Sequence, residues 1–262
     1  MRSRRREKCV SVDDFASPGN VHVPDEAEPV MALPRVVPGV ALWWIALQRA
    51  PHEAARLAVH LSAAEQVRAL RFGTDALRQN WVVGRATLRL LLGCVLGIPP
   101  ADVPLARGRR GRPVLAASGA PDFNVSHTRG IALVGIGDRM PREARIGVDI
   151  EHSDRAVDAD RVASKFMSPS EQTHLHGLPD DERRPRFLRL WTCKEAMSKA
   201  TGDALSAPFR RIDVACVGPL ALADGPEPYV PAAWTLHAIP LPGGYLATLA
   251  VWRAMSAPHA RA

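Results

Sequence analysis

Residues 145–151 read Arg145-Ile-Gly-Val-Asp-Ile-Glu151. Val148 and Ile150 alternate with Asp149 and Glu151, and the two-residue period of a strand throws both carboxylates onto one face. Two neighbouring like charges on a strand face repel. A lone D-x-E of this kind fits a half-exposed strand with a polar face. That is the plainer account; the sharper alternative is a pair of hard oxygen ligands for Mg²⁺, a metal held by one or two carboxylates with phosphate oxygens and water. A second source of carboxylate would separate the two readings.

Downstream, about Glu182 to Thr201, stopped by Gly202, is the strongest helical stretch of the chain. Successive i+4 steps place Phe187, Trp191, Glu195 and Lys199 on one stripe that begins aromatic and turns charged. A stripe that only packed would stay apolar. An i,i+4 Glu-to-Lys surface pair is the plainer account, but this pair continues the face led by Trp191, which fits a ligand-facing cleft at least as well. Lys194 is rotated about 100° back from Glu195, toward solvent or toward the other half of the protein.

Around these two stretches the pattern is α+β. Val40 to Leu47 reads as a buried strand. Ser62-Ala-Ala-Glu65 forms a capping box opening a short helix, and a longer helix runs from about Asp75 to Leu92. Leu105 to Leu115 is a hairpin; residues 123–127, 131–137, 211–216, 233–239 and 244–252 are further strand candidates, and Ser168-Pro169-Ser170-Glu171 starts a helix. The order strand, helices, strands occurs twice. It implies two comparable halves, residues 37–145 and 146–262, behind a flexible N-terminal extension, residues 1–36, that combines a basic cluster with an acidic, Pro-containing stretch.

The chain has 262 residues, 47% hydrophobic and 23% charged, enough for one large core or two smaller ones. Formal net charge is +7 and the isoelectric point near 9.8, so the favoured partners are anionic. Lys8, Lys165, Lys194 and Lys199 are the only lysines among 34 basic residues, and two of them fall between Trp191 and Ala200. That clustering marks a place that uses a compact point charge rather than a planar fork. Four scattered cysteines indicate neither zinc site nor disulfide framework, and no apolar run approaches a membrane span. A cytoplasmic protein is the expectation.

Two more segments carry chemistry. Arg107-Gly-Arg-Arg-Gly-Arg112-Pro gathers four guanidinium groups, among them Arg107, Arg110 and Arg112, in a glycine-tightened turn suited to phosphate. Asn124-Val-Ser126-His127 ends an apolar strand in polar side chains that could carry the imidazole into a cleft.

The order of the pieces, GRP, FNVSH, GVDIE and WTCKEAMSK, resembles the Sfp-type 4'-phosphopantetheinyl transferases over about Leu61 to Val214. The resemblance implies an α+β fold of two pseudosymmetric halves with the active site between them. It implies Asp149, Glu151 and Glu195 as Mg²⁺ carboxylates, with Glu195 also the first choice of general base, and Lys199 beside the transferred phosphate. On the coenzyme A side it implies Arg68, the GRP segment with Arg112 where the family usually has lysine, Ser126, His127 and Lys194. Glu65 stands where some members have a second basic residue, and the N-terminal extension has no counterpart.

The activity so implied is Mg²⁺-dependent transfer of the 4'-phosphopantetheine arm of coenzyme A to a serine of an apo acyl, peptidyl or aryl carrier protein, releasing adenosine 3',5'-bisphosphate. The carrier can belong to fatty-acid, polyketide or nonribosomal-peptide synthesis. A monomer that binds neither nucleic acid nor membrane is expected. One rival is a basic nucleic-acid-binding protein using the leader and the hairpin, but it lacks aromatic interleaving and leaves the three carboxylates unexplained. A catalytically silent carrier-protein binder is the other, and the full set of carboxylates and motif lysines argues against it.

Overall fold

The computed structural model describes residues 29–254. The basic leader and the last residues, read as frayed, lie outside the described residues. In chain order the elements are β1 (Val30–Leu33), β2 (Ala41–Ala46), α1 (Pro51–Leu57), α2 (Ala63–Ala69), α3 (Asp75–Leu96), β3 (Leu105–Arg107), β4 (Pro113–Leu115), β5 (Asp122–Thr128), β6 (Ile131–Gly137), β7 (Ala144–His152), α4 (Ala159–Phe166), α5 (Pro169–His176), α6 (Asp180–Thr201), β8 (Asp213–Val214), β9 (Leu222–Asp224), β10 (Trp234–Ala238) and β11 (Tyr245–Arg253). The fold is α+β, as the sequence implied.

Two compact units can be distinguished. Ala46–Pro104 forms a helical unit. In it Ser62 and Glu65 close the capping box of α2, the Ser62 hydroxyl accepting from Glu65 N at 3.4 Å and the Glu65 carboxylate from Ser62 N at 3.2 Å. Thr74 caps α3, which ends on Gly97 in the left-handed region (φ 68°). Buried Leu61, Ala69, Val82 and Ala86 form its apolar centre. Arg89 is also buried, donating to the carbonyls of Pro100, Ala101 and Val103 at 2.8, 3.0 and 3.1 Å while pairing with Glu65.

The other unit takes the strands before residue 46 and residues 105–254. Residue 145, where the sequence placed a boundary, lies inside it. The larger sheets are a four-stranded β1-β2-β6-β5 and a three-stranded β10-β11-β7, with antiparallel pairing between β1 and β2, β5 and β6, β10 and β11, and β11 and β7. β1 corrects the extension drawn to residue 36: Val30–Leu33 pairs with Leu42–Ile45. Four apolar residues between two prolines are too short to display a period, and only the partner strand makes them legible. α1, α4 and β9 also went unread in the sequence.

β5 and β7 lie side by side without a ladder. Side chains make the seam: Ile146 N donates to Asp122 Oδ2 at 2.8 Å and Val148 N to Asn124 Oδ1 at 3.1 Å. Each face of β7 has its own packing. Ile146, Val148 and Ile150 enter a cluster with Val40, Leu42, Trp44 and Leu249. On the opposite face a Cβ added to Gly147 would stand 1.9 Å from the Ala196 carbonyl oxygen and 2.8 Å from Ala200 N, so only glycine lets α6 approach this closely. A further apolar cluster holds α6, through Phe187, Leu190, Ala196 and Met197, against Trp234, Leu236 and Ala250 of β10 and β11.

Candidate active site

The period of two places Asp149 and Glu151 on the Gly147 face of β7, beneath α6, and both are buried. Lys199, in the last turn of α6, donates from Nζ to Asp149 Oδ1 at 2.6 Å and to Ser126 Oγ at 2.8 Å. Ser126 in turn donates to the same Asp149 oxygen at 2.8 Å. Glu151 accepts from Thr128 Oγ1 at 3.3 Å and is paired with Arg155. Strand β7, strand β5 and helix α6 thus each contribute to one polar cluster.

Its electrostatics are strained. Burial pushes the Glu195 carboxyl above the usual carboxylate value, and the Asp149 charge raises it further; Glu151 adds to the shift, while Lys199 and Arg155 oppose it. Glu151 is raised as well, by burial first, against the pull of Arg155. For His127 the direction is down: lost hydration disfavours the imidazolium, Lys199 repels it and Asp149 only partly compensates. A neutral imidazole at physiological pH follows.

Asp149 Oδ2 is buried and has no hydrogen-bond partner. An orphaned carboxylate oxygen beside two carboxyls raised by burial and mutual repulsion is a hard-oxygen donor set short of positive charge, which fits a divalent cation such as Mg²⁺. As placed, no three His, Cys, Asp or Glu side chains among the described residues converge into a ready metal site. Lys199 and Arg155 hold the nearest carboxylate oxygens instead.

The predicted stripe on α6 is present. Phe187 and Trp191 stack with centroids 6.2 Å apart, Trp191 packs against Phe166 and Phe209, and Glu195 and Lys199 follow on the cluster side. Lys194 departs from the expectation of a ligand-binding role. It is fully buried, with its ammonium 2.7 Å from Glu171 and donating to the carbonyls of Phe209, Ile212 and Phe166 at 2.7, 2.5 and 3.3 Å. Its three hydrogens are all engaged by the protein. Adjacent positions on a helix face different ways, and this one faces α5 and the segment before β8.

Arg112 is likewise engaged within the protein. It forms a bidentate pair with Asp122 at 2.9 and 2.8 Å, and Nε donates to the Lys199 carbonyl at 2.8 Å. At the hairpin tip, Arg110 has φ 51° and pairs with Asp203 at 2.6 Å; Arg107 is exposed and donates to Gly111 O at 3.5 Å. In the helical unit, Arg68 is exposed on α2 with its guanidinium 5.4 Å from the Trp81 ring centroid. Glu65, noted at a position where a second cation was conceivable, is held by its cap and by Arg85 and Arg89. Missed in the sequence were Thr128, Arg155 and Asp122, although Asp122, Asn124, Ser126 and Thr128 keep the period of one strand face and could have been found by it.

Cys193 and Cys216 are free thiols, and no helix among the described residues is long and apolar enough to cross a membrane.

Comparison with known proteins places these residues in a family. Residues 145–249 match the 4'-phosphopantetheinyl transferase superfamily, and residues 47–135 match the N-terminal region of 4'-phosphopantetheinyl transferases. The chain is 36% identical over 179 residues to the 4'-phosphopantetheinyl transferase HetI of Nostoc sp., covering 67% of this chain and 73% of that one. It is 28% identical over 178 residues to a 4'-phosphopantetheinyl transferase of Bacillus subtilis, covering 66% and 76%. Sfp of Bacillus subtilis is 26% identical over 133 residues, 51% of this chain and 56% of its own. Among solved structures, the holo-[acyl-carrier-protein] synthase of Thermotoga maritima aligns with a TM-score of 0.34 at 19% identity over 42% of this chain and 64% of its own. With a cluster built from both of its signature segments and a relative aligned over most of its length, the chain belongs to the 4'-phosphopantetheinyl transferase superfamily.

Proposed function

We propose that this enzyme transfers the 4'-phosphopantetheine arm of coenzyme A to a serine hydroxyl of an apo acyl, peptidyl or aryl carrier protein, with adenosine 3',5'-bisphosphate as the other product. The observation that carries the reading is the Lys199–Asp149–Ser126 contact, which brings the two signature segments and strand β5 to one point. Asp149, Glu151 and Glu195 would hold Mg²⁺, which when bound neutralises and orients the pyrophosphate.

The chain's own residues then divide the work. Glu195, raised by burial, is a stronger base than an exposed glutamate and takes the proton of the serine hydroxyl, directly or through water. The Lys199 ammonium, once drawn off Asp149, faces the charge developing on the leaving phosphate. Neutral His127 offers a ring N–H without a charge, and Ser126 a hydroxyl, to the phosphates of coenzyme A. Arg107, exposed on the hairpin, supplies a further cationic contact to that ligand. Position and field, with no covalent enzyme intermediate, account for the rate.

The enzyme is proposed to act as a cytoplasmic monomer in the maturation of carrier proteins, including those of secondary metabolism. Incubating the full chain with coenzyme A, Mg²⁺ and a panel of apo-carrier proteins, read by intact mass, tests the proposal. A mass gain of one phosphopantetheine group that requires Mg²⁺ is expected. No gain on any carrier would refute it.

A further inference from the structure

Four of the five N–H groups of Arg112 are occupied. Nε donates to Lys199 O at 2.8 Å, Nη1 to Asp122 Oδ1 at 2.9 Å, and Nη2 to Asp122 Oδ2, Phe123 O and Ile146 O at 2.8, 3.3 and 3.1 Å. The side chain is 6% exposed. Asp122 Oδ2 also accepts from Ile146 N at 2.8 Å, so the Arg112–Asp122 pair grips both the N–H and the C=O of the residue that precedes Gly147. One guanidinium therefore ties together α6, β5 and β7, the three elements that bear the cluster.

Its contact on α6 is informative. The last carbonyls of a helix have no intrahelical partner, and α6 ends at Thr201 with Gly202 in the left-handed region (φ 79°). Lys199 lies in that last turn. Its carbonyl is satisfied from the side by Arg112 Nε, and a cation there also complements the helix dipole. The residue whose backbone is clamped is the same one whose ammonium rests on Asp149 and Ser126. Only a planar fork reaches all of these acceptors together; an ammonium cannot.

We propose that Arg112 is a positioning residue for the transfer: by holding the Lys199 carbonyl against Asp122 and β7, it sets where the Lys199 ammonium stands over the carboxylates. The inference rests on the function proposed above, and its test keeps the two apart. A shift on the order of 1 Å in a reacting group costs about 100-fold in rate, so a loosened last turn of α6 lowers kcat without removing a substrate contact.

Arg112→Lys keeps the charge and loses the fork. In the full chain, kcat and KM are measured for coenzyme A and for 3'-dephospho-coenzyme A, at a temperature well below the variant's Tm and per folded molecule. The expected result is a kcat lower by about tenfold or more for both, with both KM values within about twofold of wild type. A KM raised for coenzyme A alone would make Arg112 a ligand of the 3'-phosphate and overturn the proposal. An unchanged kcat with a lowered Tm would reduce the residue to a structural role and overturn it too. Should Arg112→Lys fail to fold, Asp122→Asn, which leaves Arg112 in place but weakens its anchor, is judged by the same split. Absence of transfer by the wild-type chain would instead sink the proposed function.

Discussion

The two oxygens of Asp149 meet opposite conditions: Oδ1 accepts from both Lys199 and Ser126, whereas Oδ2 is buried without a partner. Asp149→Ala removes the orphan and deletes no core volume, so stability should change by no more than about 1 kcal/mol while kcat/KM falls about 100-fold or more. Full transfer by the purified variant at limiting Mg²⁺ would sink the metal assignment. Glu195→Gln should be equally inactive, and calorimetric titration with Mg²⁺ tells its roles apart: normal binding by the inactive variant assigns Glu195 as the base. Lys194 sits one position away and plays a different part. Its pKa is lowered by burial and held up by Glu171, a buried pair that locks α6 to α5. Lys194→Met leaves Glu171 uncompensated and should cost about 3–5 kcal/mol, read from urea denaturation. A loss below about 1 kcal/mol would contradict the buried pair. The sequence distinguished the two lysines by helix rotation, and Lys199 does stand at the Asp149 cluster, but it could not tell that Lys194 enters the core, because its partner carboxylate lies on another helix.

At the scale of elements, the contact between β7 and α6 decides whether the cluster exists. Gly147→Ala would drive a methyl group into backbone atoms of Ala196 and Ala200, neither of which can rotate away. The helix must then lift, carrying Glu195 and Lys199 with it. A cost of about 3 kcal/mol or more and loss of transfer are expected, measured by thermal melts and by the intact-mass assay. A variant with wild-type Tm would show that the approach is looser than described. The elements themselves were largely legible. Capping chemistry at Ser62 and Ser168 and the stop glycine Gly202 mark helix ends locally, period two marked β7, and short apolar runs marked β5, β6, β10 and β11. What escaped was non-local: β1 exists because Leu42–Ile45 pairs with it, and the carboxylates that pair with Arg112 and Arg110, Asp122 and Asp203, are distant in sequence or unremarkable alone.

For the molecule as a whole, the raised carboxyls link stability to pH. Glu195 and Glu151 hold their protons more tightly folded than unfolded. Their contribution to stability is complete below the ordinary carboxylate value and is lost as pH climbs through the raised values, so the metal-free protein is penalised at neutral pH. Glu195→Gln removes one share of that penalty. The Tm difference, variant minus wild type, should therefore rise between about pH 5 and pH 7 without Mg²⁺, and the rise should shrink when saturating Mg²⁺ is added. A difference independent of pH would refute the linkage.

The two-sided packing of β7 also bears on how genes encoding such chains can diverge. Residues 146, 148 and 150 belong to the apolar cluster with Leu42 and Trp44, and the alternate face, residues 147, 149 and 151, meets α6 through Gly147 and Asp149. One codon inserted within the strand exchanges these sets, sending carboxylates among methyl groups and isoleucine under the helix. Codons can be gained or lost in the turns at 138–143 and 153–158, where no such parity applies. Gaps in any family of homologous genes should accordingly gather on either side of residues 144–152 and leave that stretch at constant length.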